Sequence, residues 1–335
     1  MEGHAAAGHG PARARIRLPD GRRAGIHLPM AMGLRKLADR ADAIGASTLQ
    51  IFSDNPTAWQ RRGAPPPDID AFRERFRAAD MGPLAIHAAY LINLAGPVDE
   101  LFELSVGLLR HELEHAPEFG AAFVNVHIGS HRGSGVDAGI RRVVRGIQAA
   151  VDGLDIGPDE ALPAAPGKGP ERVQLVLENS SGGGASIGST VEEIAAVLGA
   201  ADEAGVGSCL AVCLDSAHLW GAGYHIGDPD GVDEVLGRFD ELVGLDRLVM
   251  VHLNDSHSPA GSRQDRHSHI GEGLIPAAGL ARLLSHPRLA HVTYYLETPG
   301  SDHGYDAVNL ARLEDLVAGR PLTPAPPAQV EGEGS

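Results

Sequence analysis

Residues 251–273 concentrate side chains that bind metal ions. An apolar run ends at His252, and a loop rich in Gly, Ser and Pro leads from it to Asp265 and His267. Because residues two apart in an extended segment face the same way, Asp265 and His267 can meet one cation. A polar loop after a strand explains these residues without a metal, since short motifs often match by chance. The rest of the chain must decide between the two interpretations.

The same arrangement recurs where other apolar runs end. Six predicted strands end in a residue that can bind a metal: His87, His127, Glu178, Asp215, His252 and Glu297. One such residue is usually a cap or a loop residue. Six at equivalent positions favour a shared site, because an apolar strand gives no reason to place an uncompensated charge at its end.

Together these residues predict a site for more than one metal ion. His218, in the turn after Asp215, brings the set to five histidines and four carboxylates. A single Zn²⁺ takes about four ligands, so nine predict two or three metals with a shared carboxylate. Nitrogen and oxygen donors without a thiolate favour Zn²⁺ or Mn²⁺ over Cu⁺ or an iron–sulfur cluster.

The elements that must position these residues alternate between short β-rich runs and helical stretches, which predicts βα units and a parallel sheet. The predicted strands are residues 24–28, 48–53, 83–87, 123–127, 173–178, 210–215, 248–252 and 292–297. The predicted helices include Leu34–Ile44, 98–119, 190–204 and 307–318. Eight units predict an α/β fold, the (β/α)8 TIM barrel, in which all strand ends point to the active-site face. An open doubly wound sheet is the alternative, but no G-x-G-x-x-G turn follows the first strand.

Composition and the positions of the Pro- and Gly-rich stretches predict one domain with irregular ends. A chain of 335 residues with 43% apolar content supports one large core. We predict a disordered leader over residues 1–22, a single catalytic barrel over 23–319 and a disordered tail over 320–335. Residues 153–171, dense in Pro and Gly, predict a mobile insertion at the bottom of the barrel.

Charge and cysteine content narrow the class of protein. A net charge of -16 argues against an extended basic surface for nucleic acid, though not against a local positive site. Cys209 and Cys213 lie in one predicted strand and are expected to be core residues of a reduced protein. The sequence shows neither an apolar run as long as a membrane span nor a secretory signal. We therefore expect a cytoplasmic protein with no membrane partner.

The segments around the candidate ligands resemble those of the endonuclease IV family, zinc-dependent AP endonucleases (deoxyribonuclease IV) of base-excision repair. The resemblance runs from about Ala24 to Gly319. The segments that carry it are HAAYLINLA (87–95), VNVHIGSH (124–131), LENSSGGG (177–184), CLDSAHLWGAGY (213–224), VHLNDSHSPAGSRQDRHSHIGEG (251–273) and LETP (296–299). It implies a xylose-isomerase-like barrel with three zinc ions that hydrolyses the phosphodiester 5′ to abasic sites in double-stranded DNA and leaves a 3′-OH.

The resemblance also implies a role for each ligand. His87, His127 and Glu178 would hold one zinc. Glu178 would bridge to a second zinc, whose other ligands are Asp215, His252 and Glu297. His218, Asp265 and His267 would hold the third.

Some of the residues expected near the DNA differ from the family pattern. Tyr90, with Leu91 beside it, would enter the DNA near the extruded abasic nucleotide, and Arg266 would reach a phosphate. The loop FSDNPTAW, which ends at Trp59, has Asp54 and Thr57 where the family usually has Lys and Arg, and Pro29 replaces a small polar residue. Trp59 and Arg61 are the expected contacts of this loop, with Arg61 and Arg62 replacing the lost charge.

Charge favours a phosphate substrate. Four ligand carboxylates contribute -4 and three Zn²⁺ contribute +6, which leaves +2, or +1 with a bridging hydroxide. Two zincs can lower the pKa of a bound water and so supply the hydroxide that attacks. A sugar isomerase or epimerase of the related barrels is the main alternative, with one or two metals on Glu178, Asp215, His252 and Glu297. A DNA-lesion binder without turnover is another. We expect a monomer, and Mn²⁺ can stand in for Zn²⁺.

Overall fold

Eight parallel strands close into a barrel in this computed structural model, which describes residues 13–158, 170, 172–300 and 304–326. The barrel strands are β1 (Ala24–His27), β2 (Thr48–Ile51), β3 (Leu84–His87), β4 (Ala121–His127), β5 (Gln174–Glu178), β6 (Leu210–Asp215), β7 (Leu248–His252) and β10 (Thr293–Leu296). Neighbours follow the chain from β1 to β7, and β10 lies between β7 and β1. The predicted xylose-isomerase-like TIM barrel is confirmed.

Helices follow the barrel strands and pack around them. Within the described ranges they are α1 (Leu34–Ile44), α2 (Ile69–Ala78), α3 (Asp99–Phe119), α4 (Val136–Val151), α5 (Val191–Glu203), α6 (Ser216–Ala222), α7 (Pro229–Leu242), α8 (Ala277–Ser285) and α9 (Tyr305–Ala318). None of these helices combines the length and the apolar composition that crossing a membrane requires. A separate two-stranded antiparallel ladder pairs β8 (Asp255–Ser256) with β9 (His267–Ser268).

The sequence pattern accounts for the buried side of α1 and for the residue at which it ends. Leu34, Leu37, Ala41 and Ile44 are buried along one side, the spacing of an amphipathic helix on a core. Gly45 ends the helix with φ 74°, a left-handed conformation that glycine adopts without steric cost. The observed bounds equal the predicted ones.

A small apolar cluster fills the inside of the barrel below its mouth. Its members are Ala85, Ala122, Phe123, Val176, Ala211, Cys213, Met250 and Tyr295. Side chains alternate between the two faces of a strand, so the residue two positions after an inward-facing one faces inward as well. Val176 therefore precedes Glu178 on the inner face, and Cys213 precedes Asp215. The candidate ligands form the top layer of the barrel interior.

The predicted boundary of a disordered leader at residue 22 is wrong for the residues that the structure describes. Ile16 and Leu18 are each only 4% exposed and belong to the main core. Ile16 N–H donates to the carbonyl of Gly45, and the buried Arg22 donates to the carbonyl of Leu284. Both partners lie where helices end below the barrel, so this segment covers the barrel floor. The rest of the predicted leader, residues 1–12, lies outside the described residues.

We expect Leu18→Ala to destabilise the fold by about 2–4 kcal/mol, because it removes a buried leucine side chain from the barrel floor. The free energy of unfolding from urea denaturation measures the effect. Arg13, exposed in the same segment, supplies the control variant Arg13→Ala, since its surface ion pair with Glu314 contributes little to stability. An unchanged unfolding midpoint for Leu18→Ala would indicate that the fold does not need this segment.

The predicted tail is also shorter than expected. Leu322 packs against the core, and Thr323 donates from its N–H and its hydroxyl to the Asp315 carboxylate. A Cβ on Gly271 would lie 2.1 Å from Leu322 Cδ1, so Leu322 occupies the space that only glycine leaves free. Residues 320–326 thus support the loop that carries two candidate ligands, and residues 327–335 lie outside the described residues.

The predicted insertion lies between α4 and β5, and most of it is outside the described residues. Its first part is tied to the barrel, because Ile156 forms a parallel bridge with Val173 and Gly157 N–H donates to the Val173 carbonyl. Residues 159–169 and 171 are not described. The bridge places the start of the insertion beside the beginning of β5, on the floor side, as its position in the sequence predicted.

Candidate metal centre

The mouth of the barrel brings together all nine side chains that the sequence singled out. Eight of them form three groups in which the candidate ligand atoms lie within 4.8 Å of one another. The groups are His87, His127 and Glu178; Glu178, Asp215, His252 and Glu297; and Asp215, His218 and His267. Glu178 and Asp215 each belong to two groups, so the three groups form one continuous cluster.

The first group stands on three adjacent strands. His87 ends β3, His127 ends β4 and Glu178 ends β5, and the last two residues are register partners. The Nε2 atoms of His87 and His127 lie 3.7 and 3.8 Å from Glu178 Oε2. These distances exceed a hydrogen bond and suit donors that surround one cation.

The second group is the most deeply buried. Asp215 and His252 are register partners at the ends of β6 and β7, and Glu297 follows β10. His252 Nδ1 lies 3.4 Å from Glu178 Oε1, 3.2 Å from Glu297 Oε2 and 3.9 Å from Asp215 Oδ2. One nitrogen therefore faces three carboxylates, an arrangement that a divalent cation would neutralise.

The third group depends on a helix and on the long loop after β7. The sequence placed His218 in a turn, but it lies in α6, whose first turn is capped by Asp215: the carboxylate accepts from His218 N–H at 2.8 Å. His267, on β9, has its Nε2 atom 3.5 Å from Asp215 Oδ2. The two oxygens of Asp265 lie 3.1 Å from the Nε2 atoms of His218 and His267, which joins Asp265 to this group.

Hydrogen bonds on the far ring nitrogens fix how three of the histidines face the cluster. The Nδ1 atoms of His87, His218 and His267 lie 2.7, 2.9 and 3.1 Å from the backbone carbonyls of Ala88, Asn179 and Glu297. A carbonyl only accepts, so each Nδ1 carries a proton, and each Nε2 is the atom whose lone pair a cation can take, once any proton on it has left. Metal-binding histidines are usually held in this way.

Unpaired polar atoms inside the cluster fit a set of cations. Glu178 Oε1, His252 Nδ1 and His267 Nε2 are buried and have no hydrogen-bond partner. Buried polar atoms without partners are rare and costly, and these three all face the cluster. Their chemistry suits Zn²⁺ or Mn²⁺, since all donors are imidazole nitrogens or carboxylate oxygens.

Burial and neighbouring carboxylates shift the pKa values of the histidines in the cluster in opposite directions. Burial lowers the pKa of His87 to about 4 and keeps that ring neutral. Burial opposes a charge on His267 as well, but Asp215 and Asp265 raise its pKa to about 9. His267 therefore holds a proton that a cation must displace, so cations bind this group more tightly as pH rises.

Two buried asparagines hold the carboxylates and were missed in the sequence. Asn125 donates to Glu178 Oε2 at 2.5 Å, and Asn254 donates to Asp215 Oδ2 at 2.6 Å. The side-chain oxygen of Asn254 also accepts from the N–H of Glu297. Each stands two residues from a ligand histidine, in VNVH and VHLN, and that inner-face spacing was the available signal.

A further pair on β1 and β2 was missed. His27 ends β1 as the ligand histidines end their strands, and its Nδ1 lies 3.4 Å from Glu297 Oε1. Gln50, inside β2, lies between His27 and two ligands. A glutamine inside a strand gives no signal in a search for metal ligands, whereas the run AGIH had the same form as the six that were singled out.

A single aspartate shapes the loop that carries Asp265 and His267. The buried Asp255 carboxylate accepts from the backbone N–H groups of Ser256, Gly271, Gly273 and Ile275 at 2.7 to 3.0 Å. These four bonds draw the two ends of the loop together. With the β8–β9 ladder they bring residues far along the loop back over the mouth.

The residues expected to contact DNA differ in how exposed they are. Tyr90 is 59% exposed, and its ring packs against Phe52 with centroids 5.2 Å apart. Trp59 is 37% exposed, Leu91 is half-buried against the core, and Arg266 is exposed between two candidate ligands. Tyr90 and Arg266 are thus free to meet a large substrate.

The expectation that Arg61 and Arg62 replace the charge lost at Asp54 and Thr57 is wrong. The side chain of Arg61 is 8% exposed and points inward, with Nη2 3.9 Å from a carboxylate oxygen of the buried Glu112. Arg62 lies 3.3 Å from Asp54, whose carboxylate also accepts from the Arg62 N–H. Arg61 thus lies inside the protein, whereas the exposed side chain of Arg62 is paired with Asp54, so this loop adds little positive charge to the mouth.

A cleft of about 250 Å³ opens beside the cluster. It is lined by His27, Pro29, Phe52, Tyr90, His267, Glu297 and Thr298. Two of the candidate ligands thus form part of its wall, and the exposed tyrosine stands at its edge. A small polar group bound there would contact the cluster directly.

Known proteins share this fold over most of the chain. The family of xylose isomerase-like TIM barrels matches residues 38–318. The chain is 38% identical to a probable endonuclease 4 of Halothermothrix orenii over 295 residues, which cover 87% of this chain and all of the relative. A second probable endonuclease 4, from Natronomonas pharaonis, is 36% identical over 87% of this chain and 97% of its own. The crystal structure of endonuclease IV from Thermus thermophilus superposes with a TM-score of 0.73 at 35% identity, covering 89% of this chain and 99% of that one.

The fold and the ligand cluster define a xylose isomerase-like TIM barrel with a metal-binding mouth. Within that class the chain belongs to the endonuclease IV family, because it spans whole members at more than a third identity. The resemblance in the sequence segments is confirmed, and so is the expectation that the protein is a hydrolase.

Proposed function

We propose that this protein is a DNA-repair endonuclease that hydrolyses the phosphodiester 5′ to an abasic site in double-stranded DNA and leaves a 3′-OH. The observation that carries the proposal is the continuous cluster of three ligand groups at the barrel mouth. The relatives, which bear the name endonuclease, support it. Three Zn²⁺ ions, or Mn²⁺ in their place, would be held by the three groups, with Asp265 completing the third.

When bound, such cations supply Lewis-acid chemistry, since they polarise a phosphoryl oxygen and activate water. The side chains of the cluster hold them in one place through the shared carboxylates of Glu178 and Asp215. Three dications against four carboxylates leave a positive centre in a protein whose net charge is -16. A phosphodiester suits that centre, and Arg266, exposed between Asp265 and His267, adds a bidentate donor for phosphate.

The cleft beside the cluster favours an abasic nucleotide. An abasic site has no base to unstack, so extruding it from the duplex costs less than extruding a complete nucleotide. A deoxyribose without a base would lie between Phe52 and Glu297 with its phosphate toward the cluster. All nine candidate ligands come from one chain, so the proposal needs only a monomer.

A duplex with one abasic site and a 5′ label tests the proposal on a denaturing gel. We expect one product that ends immediately before the lesion and that a DNA polymerase can extend from its 3′ end. The same duplex without the lesion is the control and should remain intact. Binding without cutting would instead indicate a lesion-binding protein, and inert abasic DNA with turnover of a sugar would indicate an isomerase.

Tyr90→Ala is expected to weaken binding of abasic duplex by about 1–3 kcal/mol, roughly 5- to 150-fold in Kd, because an exposed aromatic ring that meets bases is worth that much. Metal content and melting temperature should stay at wild-type values, since Tyr90 is 59% exposed. Tyr90→Phe keeps the ring and should bind normally. A fluorescence-anisotropy titration beside a thermal melt measures both quantities, and a lowered melting temperature with unchanged Kd would make Tyr90 structural.

A further inference from the structure

Gln50 connects two candidate ligands through the two ends of one amide. Its Oε1 lies 3.0 Å from His252 Nε2, and its Nε2 lies 2.6 Å from Glu297 Oε1. The side chain is completely buried, and it faces inward near the top of β2, two residues after the inward-facing Thr48. These contacts are fixed by the barrel and do not depend on solvent.

The chemistry of the partners determines which way the amide points. A carboxylate only accepts, so the Gln50 NH₂ group must face Glu297. The Gln50 oxygen then faces His252 and accepts from its Nε2–H. The second N–H of Gln50 is directed to His27, whose Nδ1 lies 3.2 Å from Gln50 Nε2. Both N–H groups and the oxygen of the amide therefore have a partner.

With its Nε2–H directed to Gln50, His252 turns its other ring nitrogen to the cluster. His87, His218 and His267 present Nε2, because backbone carbonyls hold their Nδ1–H groups. His252 presents Nδ1 instead, and this atom is buried and unpaired among three carboxylates. The side-chain oxygen of Gln50 accepts from the far ring nitrogen of His252, as backbone carbonyls accept from those of the other three histidines.

We propose that Gln50 is a positioning residue for the group formed by Glu178, Asp215, His252 and Glu297, and that it controls how tightly this group alone holds its cation. Gln50 keeps the proton of His252 on Nε2 and directs one oxygen of Glu297 away from the cation. The inference rests on the metal centre proposed above. Outer partners of this kind change metal affinity by about 10- to 100-fold.

Gln50→Met tests the inference, because methionine has a similar length but neither donates nor accepts as an amide does. At limiting free Zn²⁺, set with a buffered chelator, we expect Gln50→Met to hold one ion fewer than the wild type, with its affinity lowered by about 10- to 100-fold. The other two ions should remain. Elemental analysis after equilibrium dialysis gives the count, independently of activity.

Thr48→Val is the matched control. Thr48 is buried in the same strand, faces inward like Gln50, and bonds to the carbonyl of Pro83 rather than to a ligand. The Thr48→Val variant should keep all three ions even if its melting temperature falls. An ion lost from Thr48→Val as readily as from Gln50→Met would show that any disturbance of β2 empties the site, and it would overturn the inference.

The wild-type protein provides a second test that does not require the variant to fold. In ¹⁵N NMR spectra of the metal-loaded protein, the ring of His252 should carry its proton on Nε2. A proton on Nδ1, or a Gln50→Met variant with three ions at wild-type affinity, would overturn the inference. Both results leave the proposed function untouched, whereas a wild-type protein that binds fewer than three ions or leaves abasic DNA intact would remove the proposed function first.

Discussion

Glu178→Gln is expected to reduce cleavage of abasic DNA at least about a thousandfold, equivalent to roughly 4 kcal/mol of barrier. Glu178 is the residue that the first two ligand groups share. Asn125 donates to its Oε2, so a glutamine would turn its own oxygen to Asn125 and its NH₂ group toward the cations. The change keeps the size of the side chain, and the barrel should still fold. Single-turnover cleavage rates measure the effect.

The control for this variant must be a glutamate that contacts neither the cluster nor the core. Glu112 is unsuitable, because it is buried in α3 and accepts from the Ser53 hydroxyl. Glu103 is exposed on the same helix, so Glu103→Gln should cut at the wild-type rate. Binding of abasic DNA by Glu178→Gln should fall much less than cleavage, because Tyr90 and Arg266 remain. A Glu178→Gln protein that holds three metals and cuts normally would show that the shared carboxylate is dispensable.

Removing the metals is expected to abolish cleavage and to lower the melting temperature. An ion at a hundred times its Kd stabilises a fold by about 2.7 kcal/mol, and about 1.6 °C accompanies each kcal/mol in a domain of about 300 residues. Loss of one ion should therefore lower the melting temperature by roughly 4 °C. The fold is less stable without cations because the carboxylates of Glu178, Asp215 and Glu297 then face one another.

Differential scanning calorimetry before and after dialysis against a chelator gives this shift. Re-addition of Zn²⁺ should restore both stability and cleavage. Mg²⁺ should restore neither, because a hard cation prefers oxygen ligands over the five imidazoles of this cluster. Protein shown to be metal-free that still cuts abasic DNA would contradict the proposed chemistry.

The barrel and the ligand cluster were predictable because burial leaves a strong pattern in the sequence. An apolar run that ends in His, Asp or Glu recurs at His87, Glu178 and Asp215, and the βα alternation places these ends on one face. The period of two along each strand then predicts that these ends face inward. Neither step requires knowledge of distant contacts, so local sequence was sufficient for both.

The features that the sequence did not predict depend on contacts between distant residues. Gln50 meets His252 from 202 positions away, and nothing around Gln50 distinguishes it from an ordinary strand residue. The sequence predicts Arg61 as a surface charge, because its buried neighbour, Glu112, lies on another element. Ile16 and Leu18 alternate with arginines as a short strand would, but the leader before them is rich in Ala and Gly, which concealed the alternation.

The number of metal ions that one chain binds tests the central claim most directly. Elemental analysis of protein purified without added metal or chelator, with the protein concentration from amino-acid analysis, gives that number. The three overlapping ligand groups predict about three ions of Zn²⁺, or of Zn²⁺ and Mn²⁺ together, per chain. A count of one, held by Glu178, Asp215, His252 and Glu297 alone, would leave the other five side chains without a role and would contradict the proposed trinuclear site.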